Sequence, residues 1–226
     1  MFAPTIRIDT EGWASGARRI PSPNFDRRVE TEEISLLVVH NISLPPGEFG
    51  GSYIADLFLN QLDCEVHPYF DQLRSLRVSA HFLIRRDGSL LQFVSTRDRA
   101  WHAGVSTFCG RERCNDFSIG VELEGTDDLP FEAAQYDTLA ALTVALRAAY
   151  PLIDVAGHED IAPGRKTDPG PCFDWQRYAD DYRLLENGVE AMSVDEKCGE
   201  VRPGLRFREM TDTELPGWRE DCKKNI

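Results

Sequence analysis

The segment Ile34–His40, reading ISLLVVH, constrains the fold most. It is a short apolar run rich in branched side chains, too short for a helix. That is the pattern of a strand covered on both faces, as in the middle of a sheet with layers above and below. His40 ends the run, and Pro45, Pro46 and Gly47 then force a loop. His81–Val94 holds two more apolar runs around Asp87-Gly88, a dipeptide suited to the positive φ angles of a tight hairpin turn. Phe117–Leu123 alternates: Phe117, Ile119, Val121 and Leu123 face one way, and Ser118, Gly120 and Glu122 the other. A glycine in mid-strand at 120 implies that another group approaches the backbone there.

Helical spacing takes over from Ala133 to Tyr150, with Tyr136, Leu139, Leu142, Leu146 and Tyr150 on one stripe ended by Pro151. Shorter helices are expected over Ile54–Leu62 and Trp175–Leu185, and a brief strand at Val155-Ala156. Strands mixed with helices, one hairpin included, predict an α/β fold with a central mixed β-sheet flanked by helices. Residues 1–185 then form one domain, whose first 33 residues wrap the surface. Residues 186–226, with ten acidic and seven basic residues, read as a poorly ordered C-terminal appendage.

The 226 residues carry a formal net charge of −13, the wrong sign for coating nucleic acid or a polyanionic membrane surface. No stretch has the ~18 apolar residues of a membrane span. The N-terminus shows no charged segment followed by an apolar one, so the expected location is cytoplasmic. There the six scattered cysteines read as free thiols.

The five histidines are His40, His67, His81, His102 and His158. His40 and His158 each stand where an apolar run gives way to a Gly/Pro-rich loop, and strand ends of that kind hold ligand groups in α/β folds. Asp168 lies in a rigid loop between Thr167 and Pro169. Two imidazoles and a carboxylate with an open fourth position describe a catalytic zinc site, yet no close ligand pair is present and the pattern alone leaves the metal open. Glu122, a carboxylate among apolar strand residues, is either on an exposed face shared with Glu124 or a buried general base. Lys166 is either a surface lysine or a donor to a developing oxyanion. Arg77, Arg85, Arg86, Arg111 and Arg113 are solvated or grip carboxylates. Trp101, before His102-Ala103-Gly104, is core packing or the wall of a sugar site.

Five segments occur in order: HNISLPPGEFGG (40–51), SAHFLIRRDG (79–88), WHAGVS (101–106), GRERCNDFSIGVELEGTD (110–127) and GHEDIAPGRKTDPGPCFDW (157–175). Over about residues 11–185 the chain resembles the cytoplasmic AmpD-type 1,6-anhydro-N-acetylmuramoyl-L-alanine amidases of peptidoglycan recycling. That family lies within the zinc amidase superfamily that includes phage amidases and peptidoglycan-recognition proteins. The resemblance implies Zn²⁺ held by His40, His158 and Asp168, with Glu122 and Lys166 catalytic. It implies substrate contacts at Asn41, Arg77, Trp101, Arg113 and Ala162. Many relatives have cysteine as the third ligand; Cys172 lies four residues past that position. The implied partner is a small anhydro-muropeptide, with no nucleic acid and no membrane insertion, and a monomer is favoured.

Two other functions fit parts of the pattern. A non-catalytic peptidoglycan-fragment binding module would keep the groove without the metal. A non-haem Fe(II) oxygenase also uses two histidines and a carboxylate, but gives no role to Glu122 or Lys166.

Overall fold

The computed structural model describes residues 5–192 and 204–208. Its elements, in chain order, are β1 (Arg18–Arg19), β2 (Phe25–Arg27), β3 (Leu36–Ile42), α1 (Tyr53–Phe58), β4 (Phe82–Ile84), β5 (Leu90–Gln92), β6 (Asp98–Ala100), β7 (Thr107–Phe108), β8 (Arg111–Glu112), β9 (Ser118–Glu124), α2 (Ala133–Ala149), β10 (Asp154–Gly157), α3 (His158–Ile161), α4 (Trp175–Met192) and β11 (Arg206–Phe207). Seven of the strands form one sheet in the order β1-β5-β4-β9-β3-β10-β11.

β3 lies inside the sheet, as its apolar run requires, although it begins and ends two residues later than Ile34–His40. It pairs in parallel with β9 from Leu36↔Ser118 to Ile42↔Glu124, and on its other edge with β10 from Asp154↔Leu36 to Gly157↔Val39. β4 joins β9 in parallel and β5 antiparallel, which makes the sheet mixed. In the β4–β5 turn only Gly88 has positive φ (+81°). A Cβ there would also lie 2.7 Å from the Ala134 carbonyl oxygen of α2, so both backbone angle and helix packing demand glycine.

The pleat sorts side chains onto two covered faces. Leu37 and Val39 of β3, with Ile119, Val121 and Leu123 of β9, pack against Leu139, Leu142 and Leu146 of α2 and Tyr178 and Tyr182 of α4. On the opposite face Leu36 and Val38 meet Phe117 and Ile161, while Leu83 and Leu91 meet Ile54 and Phe58 of α1. Burying each such side chain contributes about 1.5–3 kcal/mol. Phe117 falls on the face opposite Ile119, because the alternation starts only where β9 does, at Ser118. Glu124 is not exposed; it is 1% accessible and paired with Arg85 at 2.9 Å.

α4 runs unbroken through residue 185 to Met192. Beyond it, β11 adds a parallel edge strand to β10, with Phe207 buried 5.0 Å from the Tyr178 ring and 5.5 Å from the Tyr182 ring. Leu205 and Phe207 join the core, and Arg206 pairs with Asp154 (2.7 Å) and Arg208 with Asp160 (2.7 Å), so apolar and ionic contacts together dock a stretch whose composition is mostly polar. The remaining tail lies outside the described residues. Cys109 is disulfide-bonded rather than a free thiol, whereas Cys64, Cys114 and Cys172 are free. The expectation rested on compartment, which carries no information on which thiols meet in space. Among the described residues, no helix is long and apolar enough to cross a membrane.

Candidate metal centre

The parallel strands β9, β3 and β10 end at the same edge of the sheet. Glu122 is the register partner of His40, so both side chains leave the same face. β10 closes at Gly157, opposite Val39, and the next residue, His158, opens α3. The two imidazoles therefore converge, with Nδ1 atoms 3.0 Å apart. The loop after α3 returns Asp168 to them. It is held by the Glu159 N–H donating to the Asp168 carbonyl (2.9 Å) and the Asn41 side-chain amide donating to the Pro169 carbonyl (3.0 Å). Asp168 Oδ2 then lies 3.0 Å from His40 Nδ1 and 3.1 Å from His158 Nδ1.

These three atoms form a compact triangle, suited to a metal ion. His158 Nε2 is 3.1 Å from the Ala103 carbonyl and His40 Nε2 is 3.0 Å from His102 Nδ1. Burial pushes the His40 imidazole down to about 4, and the neighbouring His158 adds to the effect, so the ring is neutral at physiological pH. Burial tends to raise the Asp168 carboxyl, but contacts with His158 and His40 outweigh it and hold the group well below the usual carboxylate range. Two imidazole nitrogens and an ionised carboxylate oxygen thus converge on one point, a donor set that a shared cation fits.

Glu122 is 9% accessible, and its Oε2 has no hydrogen-bond partner. Burial raises its carboxyl well above the ordinary value, and the charge on Asp168 raises it further. This is the environment of a group that takes and gives a proton.

The cluster opens into a cavity of about 810 Å³. Of the residues singled out from sequence, His40, Asn41, Trp101, Glu122, His158, Lys166 and Asp168 line it. Lys166 is exposed there. Asn41 spends its amide on Asp127 (2.6 Å) as well as Pro169. Arg77, Arg113 and Ala162 are not among the lining residues. Arg77 donates to the Leu76 carbonyl (2.9 Å), Arg113 pairs with Asp116 (3.1 Å), and buried Ala162 accepts from the Lys166 N–H (3.1 Å). Sequence reasoning missed His102 and Arg165, both lining the cavity. Gly120 was the available signal: a Cβ there would lie 2.4 Å from the His102 ring, the close approach its mid-strand position implies.

Residues 30–171 match the model of the Amidase_2 family, N-acetylmuramoyl-L-alanine amidase. The chain is 61% identical over 170 residues to the 1,6-anhydro-N-acetylmuramyl-L-alanine amidase AmpD of Escherichia coli (strain K12), covering 74% of this chain and 93% of that protein. The AmpD of Haemophilus influenzae (strain ATCC 51907 / DSM 11121 / KW20 / Rd) is 53% identical over 176 residues, covering 76% and 96%. A solved structure of a selenomethionine AmpD derivative superposes with a TM-score of 0.74 at 60% identity, covering 77% of this chain and 97% of that one. An endolysin amidase from Clostridium intestinale, 17% identical with a TM-score of 0.54 and covering 75% and 96%, shares the fold. On sequence and fold together, the chain belongs to the N-acetylmuramoyl-L-alanine amidase family.

Proposed function

We propose that this protein is a zinc-dependent hydrolase of anhydro-muropeptides. It cleaves the amide bond between the lactyl group of 1,6-anhydro-N-acetylmuramic acid and the L-alanine of the stem peptide. The reaction serves peptidoglycan recycling in the cytoplasm, with the enzyme acting as a monomer. The observation that carries the reading is the triangle of His40 Nδ1, His158 Nδ1 and Asp168 Oδ2 beside buried Glu122, whose Oε2 has no hydrogen-bond partner. Its edges of 3.0–3.1 Å are close to the ~3.3 Å expected between donors each about 2.0 Å from a tetrahedral zinc.

An amide is a poor electrophile, and hydroxide is scarce at neutral pH. Bound zinc supplies a lowered water pKa and a polarised carbonyl. Glu122 accepts the proton of the attacking water while its oxygen bonds to the lactyl carbon, then delivers that proton to the alanine nitrogen as the C–N bond breaks. The raised carboxyl suits both halves of that transfer. Lys166, which lines the cavity, stabilises the negative charge that develops on the carbonyl oxygen. Trp101 offers a flat apolar wall to the anhydro-sugar, and Asn41 keeps the Asp168 loop in place. Exposed Arg77 and Arg113, with buried Ala162, are read as further substrate contacts.

The test is mass spectrometry of products from anhydromuramoyl-tripeptide. Free tripeptide and anhydro-N-acetylmuramic acid are expected, lost on chelation and restored by zinc. Protein that holds stoichiometric zinc and leaves the substrate intact would overturn the reading.

A further inference from the structure

α3 is a single turn, His158–Ile161, and it serves two of the three candidate ligands. It opens on His158, and the Glu159 N–H holds the Asp168 carbonyl at 2.9 Å. One turn of helix makes too few backbone hydrogen bonds to hold itself in place, so its position depends on what packs against it. Ile161 is buried with Leu36 and Val38. The two adjacent carboxylates of the turn, Glu159 and Asp160, share one cation, Arg208.

The Arg208 guanidinium donates from Nε to Asp160 Oδ1 at 2.7 Å and from Nη1 to Glu159 Oε1. The second oxygen of Asp160 accepts from the Gly157 N–H at 2.7 Å and so caps the turn. Arg208 therefore grips both the capping carboxylate of α3 and the residue whose amide holds the Asp168 loop. The side chains of Arg208, Glu159 and Asp160 are 20%, 24% and 11% accessible. Charge-assisted hydrogen bonds so shielded from water hold geometry better than pairs on an open surface.

β11 delivers Arg208 to this place. Asp154 pairs in register with Arg206 and Val155 with Phe207, which brings the next residue alongside the end of β10. A Cβ at Gly157 would lie 3.4 Å from Arg208 Nη1. Phe207 is buried against Tyr178 and Tyr182, and the Arg206 fork grips Asp154 at 2.7 and 2.9 Å. Residues 204–208 lie beyond the stretch 30–171 that matches the amidase family, so the match does not account for this contact.

We infer that Arg208 is a positioning residue for the metal centre: by clamping Glu159 and Asp160 it sets α3, and through α3 both His158 and the Asp168 loop. The inference rests on the zinc reading. Groups that orient ligands from outside are generally worth 10–100-fold in metal affinity, and one acting through a helical turn belongs at the lower end, about tenfold.

Zinc affinity of the full chain by chelator competition tests it, together with the visible spectrum of the cobalt(II)-substituted protein, which reports ligand geometry. Arg208→Ala should weaken zinc binding about tenfold and shift the cobalt bands. Arg206→Ala removes the Asp154 pair from the same strand; it should lower stability yet leave both readouts at wild-type values. Arg208→Gln keeps the stem and one donor, and supplies the measurement if the alanine variant fails to fold; it should lose affinity severalfold. Wild-type zinc binding in Arg208→Ala or Arg208→Gln, or an equal loss in Arg206→Ala, would overturn the inference and leave the zinc reading intact. Wild-type protein that takes up no zinc would overturn the zinc reading, and this inference with it.

Discussion

Glu122 and His40 are direct cross-strand partners on the parallel β9–β3 pair. The proposed proton carrier and a proposed metal ligand are thus placed by one ladder of backbone hydrogen bonds. Glu122→Gln alters proton transfer without touching the triangle. It should bind zinc as wild type does and lose about 10²–10⁴ of turnover. Zinc content and kcat measured on one preparation decide this, and an active variant would assign the base elsewhere.

The same carboxyl makes stability depend on pH. Its folded pKa lies well above the ordinary 4.5, so the folded chain holds a proton that the unfolded chain releases. Stability from this group is present in full below 4.5 and is lost as pH rises through the folded pKa. Glu122→Gln has no such loss. In chelated protein the Tm difference between variant and wild type should widen in the variant's favour as pH rises from about 4.5. Parallel curves would contradict the burial-raised carboxyl.

A cation binding only the folded triangle must stabilise it by mass action. At free zinc a thousand times Kd, the gain is about 4 kcal/mol. Thermal unfolding with zinc and with chelator should differ for the wild type and coincide for Asp168→Ala. A wild type indifferent to zinc would remove the metal from the account.

Gly120→Ala drives a methyl group to 2.4 Å from His102 Cγ, so the ring or the strand must move. Overpacking of this sort costs about 1–3 kcal/mol. Urea unfolding of metal-free protein should show that loss, accompanied by weaker zinc binding.

Phe207 stands 3% accessible against Tyr178 and Tyr182. Phe207→Ala should cost about 3 kcal/mol, within the usual range for a buried phenylalanine, with turnover at low temperature unchanged. A stability equal to wild type would return this segment to the role of a tether.

Much of the framework was legible because period-2 alternation and a both-faces-apolar run are direct imprints of sheet burial. β3, β9, α2 and the turn at Gly88 follow from such local rules. The candidate cluster was legible in another way. His40, His158 and Asp168 are separated by 118 and 10 residues, and no local rule joins them; ordered motif segments did. What stayed hidden depends on contacts between distant surfaces. Nothing local to Phe207 says that two tyrosines of α4 await it, and nothing local to His102 says that its ring sits over Gly120. The partners of Arg77 and Arg113, the Leu76 carbonyl and Asp116, are likewise set by the fold and not announced by charge alone.

The shared edge of β9, β3 and β10 has a consequence for how reactivity is acquired. A one-residue slip of β3 against its neighbours would send His40 through to the opposite side of the sheet, among Leu139 and Leu142, and bring Val39 or Asn41 to the cluster. No partly correct alignment exists between these states. His40 therefore joins the locally built His158–Asp168 pair only when β3 is in register, and the complete triangle waits on that strand pairing.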